Sequence, residues 1–319
     1  MKKRGVIAIL FLLCFASLYA KEQDSLDSIQ QNISTKFVHI ASSLDTLLSN
    51  SYVNNNSKYQ FFDVFFQNEK FINESDKSYI SVRFGTTLQS RTSPSQDVGI
   101  NAYIALTKTQ RKFNLFMHSI GEKQIFANSM QTPQDQNNKK QEFGISYLAK
   151  VYHHIDSKYS LGIRRLNPFV RARYYKIFQV GSWKIEPLEQ IELSIKDKFQ
   201  EQTNLFFDRP LTKKSLFRTT LQREISSKLP GMNYSMSLGY FYTFSQKRAL
   251  NLTQLFLGNT KESSINQYIT SLDYREYFWK KWLVYDIEPA LSYDKVYNYR
   301  PNYILNINFY IYFQKEKNE

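Results

Sequence analysis

The run Tyr303-Ile304-Leu305-Asn306-Ile307-Asn308-Phe309-Tyr310-Ile311-Tyr312-Phe313 constrains the fold more than any other stretch of the chain. It sets Tyr303, Leu305, Ile307, Phe309, Ile311 and Phe313 on one side and Ile304, Asn306, Asn308, Tyr310 and Tyr312 on the other. Side chains alternate across a strand, so this pattern builds one continuous apolar wall and one mostly polar wall. A length of about 9–11 residues is what a tilted strand needs to cross a bilayer.

The same alternation recurs upstream. From Asp76 onward, turn-forming residues separate alternating segments at a rhythm of roughly 10 to 20 residues, as in an all-β barrel or sandwich. Strands are expected near 78–90, 98–108, 112–120, 142–154, 158–166, 168–178, 182–195, 201–208, 215–225, 232–244, 249–257, 265–275, 282–294 and 303–313. Several have clean faces. Tyr234, Met236, Leu238, Tyr240, Tyr242 and Phe244 oppose Asn233, Ser235, Ser237, Gly239, Phe241 and Thr243, and Tyr285, Ile287, Pro289, Leu291 and Tyr293 oppose Val284, Asp286, Glu288, Ala290, Ser292 and Asp294. No interval shows a crossover helix, so sequential strands pair antiparallel. The segments 158–166 and 168–178 read either as two strands or as one bent around Asn167-Pro168, and another join is open; an even count, 12 or 14, puts both barrel termini on one side. Proline removes a ladder hydrogen bond and belongs in turns, edges or bulges. Pro94, Pro133, Pro168, Pro210, Pro230 and Pro301 fall in expected turns; Pro187 and Pro289 do not, and imply bulges or misplaced strand limits. The longest interior loop spans Gly121 to Gln141.

The N-terminus has Lys2, Lys3 and Arg4, an apolar run from Gly5 through Ala16, and Ser17-Leu18-Tyr19-Ala20 before Lys21. This reads as a secretory signal peptide cut after Ala20, the apolar run being short for a ~30 Å span. Cleavage removes the one cysteine, Cys14, and lowers the net charge from +14 to +11 (14 − 3). No disulfide or thiol chemistry then remains. An exported basic chain is not expected to meet nucleic acid; anionic lipopolysaccharide, anionic solutes or peptidoglycan suit its field better. Beyond the signal no run approaches the ~18 apolar residues of a membrane helix, whereas a barrel strand is only half apolar and hides from average hydropathy. The 23 Tyr and 25 Phe suit the aromatic belts of such a barrel.

From Ser25 to Ser49, Leu26, Ile29, Ile33, Phe37, Ile40, Leu44 and Leu47 recur every three or four positions, an amphipathic helix that Asp24 or Ser25 can cap. Leu26, Ile33, Ile40 and Leu47 keep a seven-residue spacing, so self-association, docking on the membrane face or the barrel end, and folding back as a plug are all open. A connector with the bulky patch Phe61-Phe62-Asp63-Val64-Phe65-Phe66 follows, either a first strand or a short helix. The division is therefore residues 1–20 signal peptide, 21–75 periplasmic helix and connector, and 76–319 transmembrane barrel with a short tail.

The terminal strand, alternating and closing on Phe313, resembles the C-terminal strand of Gram-negative outer-membrane β-barrel proteins, which that family uses as its assembly signal; here a charged tail, Gln314 to Glu319, follows it. The resemblance covers the signal peptide, the strand rhythm and the last strand. It implies an all-β, closed antiparallel transmembrane barrel with an N-terminal amphipathic helix, outer-membrane lipids and lipopolysaccharide around it, and both chain termini of the barrel on the periplasmic side.

A charged side chain facing lipid at mid-depth costs ~2–4 kcal/mol for Arg or Lys, so strand charges should point into the lumen. The residues this selects are Arg171, Arg173, Lys184, Glu186, Glu192, Arg218, Glu224, Asp286 and Glu288, with Gln190 and Gln222 beside them. In a wide lumen, opposing basic and acidic clusters would select solutes by a transverse field. In a narrow one they would pair into ladders that fill it. The favoured function is a narrow or gated pore for small hydrophilic solutes. A structural or surface-interaction barrel, an outer-membrane lipid hydrolase and a soluble periplasmic β-sandwich are the alternatives. Enzyme readings are poorer: His118 and Ser119 are adjacent and point to opposite faces of a strand, and no recognisable nucleophile motif surrounds His153-His154. Four scattered histidines, His39, His118, His153 and His154, make no metal set, and no phosphate-binding glycine loop occurs, so no cofactor is expected.

Overall fold

The computed structural model describes residues 31–36, 79–106, 113–120, 140–151, 155–262, 265–278 and 282–314. Residues 31–36 are helical. The remainder of the expected helix, the signal peptide, the patch at 61–66, the loop 121–139, His39, His153 and His154 lie outside the described residues.

The strands are β1 (Tyr79–Gln89), β2 (Ser95–Leu106), β3 (Phe113–Ile120), β4 (Lys140–Val151), β5 (Ile155–Arg164), β6 (Asn167–Tyr175), β7 (Phe178–Val180), β8 (Trp183–Ser194), β9 (Lys198–Thr212), β10 (Ser215–Ser226), β11 (Met232–Ser245), β12 (Arg248–Asn259), β13 (Ile265–Tyr277), β14 (Leu283–Asp294) and β15 (Pro301–Gln314). Sequence neighbours pair antiparallel, except β6 with β7; β1 pairs with β15 and β6 with β8, so the sheet closes on itself. β6 and β7 share one place in the wall: both pair with β8 and the register is unchanged across their break. Fifteen segments therefore make a closed barrel of fourteen strands (15 − 1).

The break has a local cause. In an antiparallel ladder the N–H and C=O of one residue face the same neighbour. Pro187 has no N–H, and the side it would serve is where β6 gives way to β7; only its carbonyl is used, by the Lys176 N–H at 3.3 Å. Pro289 acts alike. Pairing of β13 with β14 lapses between Ser271↔Ala290 and Tyr274↔Ile287, while β15 pairs unbroken through Pro289↔Leu305. Both prolines thus sit inside correctly bounded strands, without the expected bulge, because the neighbouring ladder opens instead. Three other prolines belong to strands rather than turns. Pro168 and Pro301 stand at or next to strand starts, and Pro210 pairs with Leu216 beside the register shift between Ser215 and Leu216. The segments either side of Asn167 are two strands, joined by a two-residue turn in which Arg165 and Leu166 both have positive φ, 46° and 60°.

Burial follows the strand period. On β14, Val284, Asp286, Glu288, Ala290, Ser292 and Asp294 are buried, and on β15 so are Asn302, Ile304, Asn306, Asn308, Tyr310 and Tyr312. The alternate positions, Leu283 at the start of β14 apart, are exposed or part-exposed, among them Phe84, Ile100, Leu161, Val170, Met236, Leu252, Ile287 and Phe309. This is a globular protein largely inside out: the buried face is mostly polar, with apolar clusters such as Leu255, Leu257, Ile269, Ala290 and Ile304, and the exposed face is mostly apolar. Aromatic rings gather at two levels of the exposed face. Tyr242, Phe244, Tyr274, Tyr285, Phe278 and Phe309 form a chain of ring contacts near the end that holds both barrel termini. Phe256, Tyr268 and Tyr299 form another near the opposite end. On β14 the levels of Tyr285 and Tyr293 are eight residues apart (293 − 285), about 27 Å along the strand and about 20 Å along the barrel axis at a tilt near 40°. That height suits an outer-membrane apolar band.

Polar groups of β8, β9 and β10 meet on the exposed face. Thr203 Oγ1 donates to Glu189 Oε2 at 2.6 Å, and Arg223 donates from Nε to Thr203 Oγ1 at 2.8 Å and from Nη2 to Glu201 Oε1 at 2.5 Å.

Candidate functional site

The polar buried face is the feature that stands out chemically. Of the residues selected from the sequence, Arg173, Glu186, Glu192, Arg218, Asp286 and Glu288 are buried, and Arg171, Lys184 and Glu224 part-buried. The strands bring several of them together, most with a partner that the sequence reading did not single out.

The densest group joins β4, β5, β6 and β8. Arg164 donates to Glu192 Oε1 at 2.8 Å and to Glu142 Oε2 at 3.0 Å, and Arg171 donates to Glu192 Oε2 at 2.8 Å and to Glu142 Oε1 at 3.2 Å. Two guanidiniums and two carboxylates so form a closed four-membered group. Both guanidiniums lie over the Phe169 ring, at 5.0 and 4.7 Å from its centre. The ring itself lies over Gly162, where any side chain would collide with it.

On β9 and β10, Asp208 accepts from Arg218 Nε at 2.6 Å and Nη2 at 2.7 Å, and the guanidinium rests between the Phe206 and Phe241 rings. Lys184 and Glu186 approach to 3.3 Å on one strand, and Glu224 accepts from Gln200 Nε2 at 2.6 Å. A longer relay crosses five strands. Asp97 on β2 accepts from Arg83 on β1, whose Nη1 donates to Asn308 on β15 at 2.9 Å; Asn308 donates to Asp286 on β14 at 2.7 Å, and Arg275 on β13 stands 4.0 Å from Asp286 and donates to Tyr312 at 2.7 Å. Asn306 donates to Glu288 at 3.2 Å.

Charge is divided around the wall. β5 and β6 carry Lys158, Arg164, Arg171 and Arg173 against Asp156, with Glu142 and Glu192 reaching in from β4 and β8. β13 and β14 carry Asp273, Asp286, Glu288 and Asp294 against Arg275. With β6 and β7 counted as one, β5–β6 are places five and six and β13–β14 places twelve and thirteen of fourteen, half a turn apart.

Arg83, Asp97, Glu142, Lys158, Arg164, Asp208, Asp273 and Arg275 belong to this face but were not among the sequence candidates. Their strand parity was readable; what singles them out is a carboxylate or ring on the next strand, which becomes visible only with the register. His118 lies on β3 opposite Glu142, and Ser119 opposite Gln141.

No protein-family model and no curated protein matches the chain. Several solved structures resemble it remotely. KdgM porin in complex with disordered oligogalacturonate is 10% identical, with 72% of this chain and 98% of that chain covered and a TM-score of 0.35. OmpT, an outer membrane protein of Vibrio cholerae, is 10% identical over 74% of this chain and 96% of that chain, with a TM-score of 0.44. An anion-selective porin from Comamonas acidovorans is 7% identical over 74% and 98%, with a TM-score of 0.47.

Proposed function

We propose that the chain is an outer-membrane barrel whose polar face lines a narrow pore for small hydrophilic solutes. The observation that carries this reading is the charged, sign-divided buried face inside a wall whose outer face is apolar. Burial of Glu186 and Asp286 to 0% exposure supports a narrow passage, since a wide water-filled one would leave them wet. Opposing cationic and anionic arcs half a turn apart place a field across that passage, which orients dipolar solutes and slows unpaired charges. The apolar band between aromatic rings supports a membrane seat, and basic side chains at the rims suit anionic lipid head groups, lipopolysaccharide included.

Planar-bilayer recording tests the reading. Protein shown to be folded by faster gel migration unboiled than boiled should insert in discrete steps of small conductance. The closed group of Glu142, Arg164, Arg171 and Glu192 favours a second reading, a sealed structural barrel. Absence of steps from folded, inserted protein would choose it.

A further inference from the structure

Most guanidiniums on the polar face have an anionic partner. Arg83 meets Asp97, Arg164 and Arg171 share Glu142 and Glu192, Arg218 meets Asp208, and Arg275 stands by Asp286. Arg173 differs. It is 6% exposed, its Nη1 is buried without an acceptor, and among the described residues it makes no hydrogen bond, ion pair or ring contact. On the same face of β8, Glu192, two residues from Gln190, has both oxygens engaged by Arg164 and Arg171.

Its neighbours in register are Lys158 on β5 and Gln190 on β8. Lys158 is itself 6% exposed, its ammonium 5.8 Å from the centre of the Tyr103 ring, and Gln190 is part-buried. Adjacent strands lie about 4.8 Å apart, so three donor groups of one level, a guanidinium flanked by an ammonium and a carboxamide, face the same space. A buried, uncompensated guanidinium beside a second cation is unfavourable unless an anion joins it. The guanidinium fork matches the paired oxygens of a carboxylate or phosphate, and the ammonium adds a point charge.

We propose that Arg173, Lys158 and Gln190 form a seat for a small oxyanion, a carboxylate or phosphate group of a solute held in the barrel. This rests on the pore reading for the solute's route but not for its binding. The seat lies on the cationic arc, just beyond the closed group of Arg164 and Arg171, so an entering anion finds Arg173 as the guanidinium not already engaged. Hydrogen bonds from the fork make it selective for oxyanions over chloride.

The test titrates citrate, and separately inorganic phosphate, into the folded full-length protein in detergent by calorimetry, with chloride as background salt. Wild type should bind both. Arg173→Gln should weaken binding at least tenfold, Lys158→Gln by less, and Arg173→Lys should restore part of it. Because Arg173 has no partner to lose, Arg173→Gln should unfold at the same or a higher temperature; a marked fall would identify a structural arginine and overturn the seat. No binding to wild type, or binding indifferent to Arg173→Gln, also overturns it. Bilayer recording separates the two readings. Conductance that citrate neither blocks nor binds leaves the pore and removes the seat, whereas Arg173-dependent binding without conductance removes the pore and leaves the seat.

Discussion

Replacing Asp208 by Asn tests whether the interior is narrow and dry. Asp208 and Arg218 are 8% and 7% exposed, joined by two short hydrogen bonds, with aromatic rings on either side of the guanidinium. At an effective dielectric near 20 and a separation of about 4 Å the attraction is about 4 kcal/mol. Removing one partner of a buried pair strands the other charge and costs about 3–5 kcal/mol, two to three decades or more in the folding equilibrium. In a wide, wet lumen the same pair would contribute about 0.2–1 kcal/mol. Guanidinium unfolding from phospholipid vesicles, followed by tryptophan fluorescence, measures the difference. Asp208→Asn and Arg218→Met should each lose about 3–5 kcal/mol, and the double variant Asp208→Leu with Arg218→Met should recover to within about 1 kcal/mol of wild type, since both desolvation costs vanish together. Single variants that each lose under about 1 kcal/mol would refute the reasoning and describe a water-filled barrel.

Ile307→Arg, at mid-strand on the exposed face of β15, should destabilise the inserted barrel by about 2–4 kcal/mol in the same unfolding assay, while equal stability would deny that this face meets lipid. At Gly162 a β-carbon would lie 2.5 Å from the Phe169 ring and 2.6 Å from the Phe143 carbonyl, so Gly162→Ala should cost about 1–3 kcal/mol; Phe169→Leu should relieve only the ring's share, the carbonyl being fixed in the ladder. Arg165 and Leu166 hold positive φ, each at a cost of about 1–2 kcal/mol for a residue with a side chain, so Arg165→Asn with Leu166→Gly should raise stability by about 1–2 kcal/mol. A loss there would mean that contacts of the Arg165 side chain outweigh the strain.

Much of the barrel was legible because burial here has period two and the residues obey it. The faces read for β11, β14 and β15 are the buried and exposed faces of the structure, and fourteen strands were within the expected count. Proline misled in both directions. Pro210 ends no strand, because a register shift beside it absorbs the missing donor, and Pro187 forces no bulge in its own strand, because β6 breaks opposite it. Such compensation lies on the neighbouring strand and leaves no local sign. The candidate site shows the same limit. Parity places Arg171 and Glu192 on polar faces, yet only the register of four strands shows that they close a ring with Arg164 and Glu142. It also sets Arg173 apart from Arg171, two residues away on the same face: one has two carboxylates within reach, and the other has Lys158 and Gln190. Identical side chains with identical parity thus acquire opposite roles, one binding the wall together and the other left for a ligand, through what the adjacent strands carry at that level.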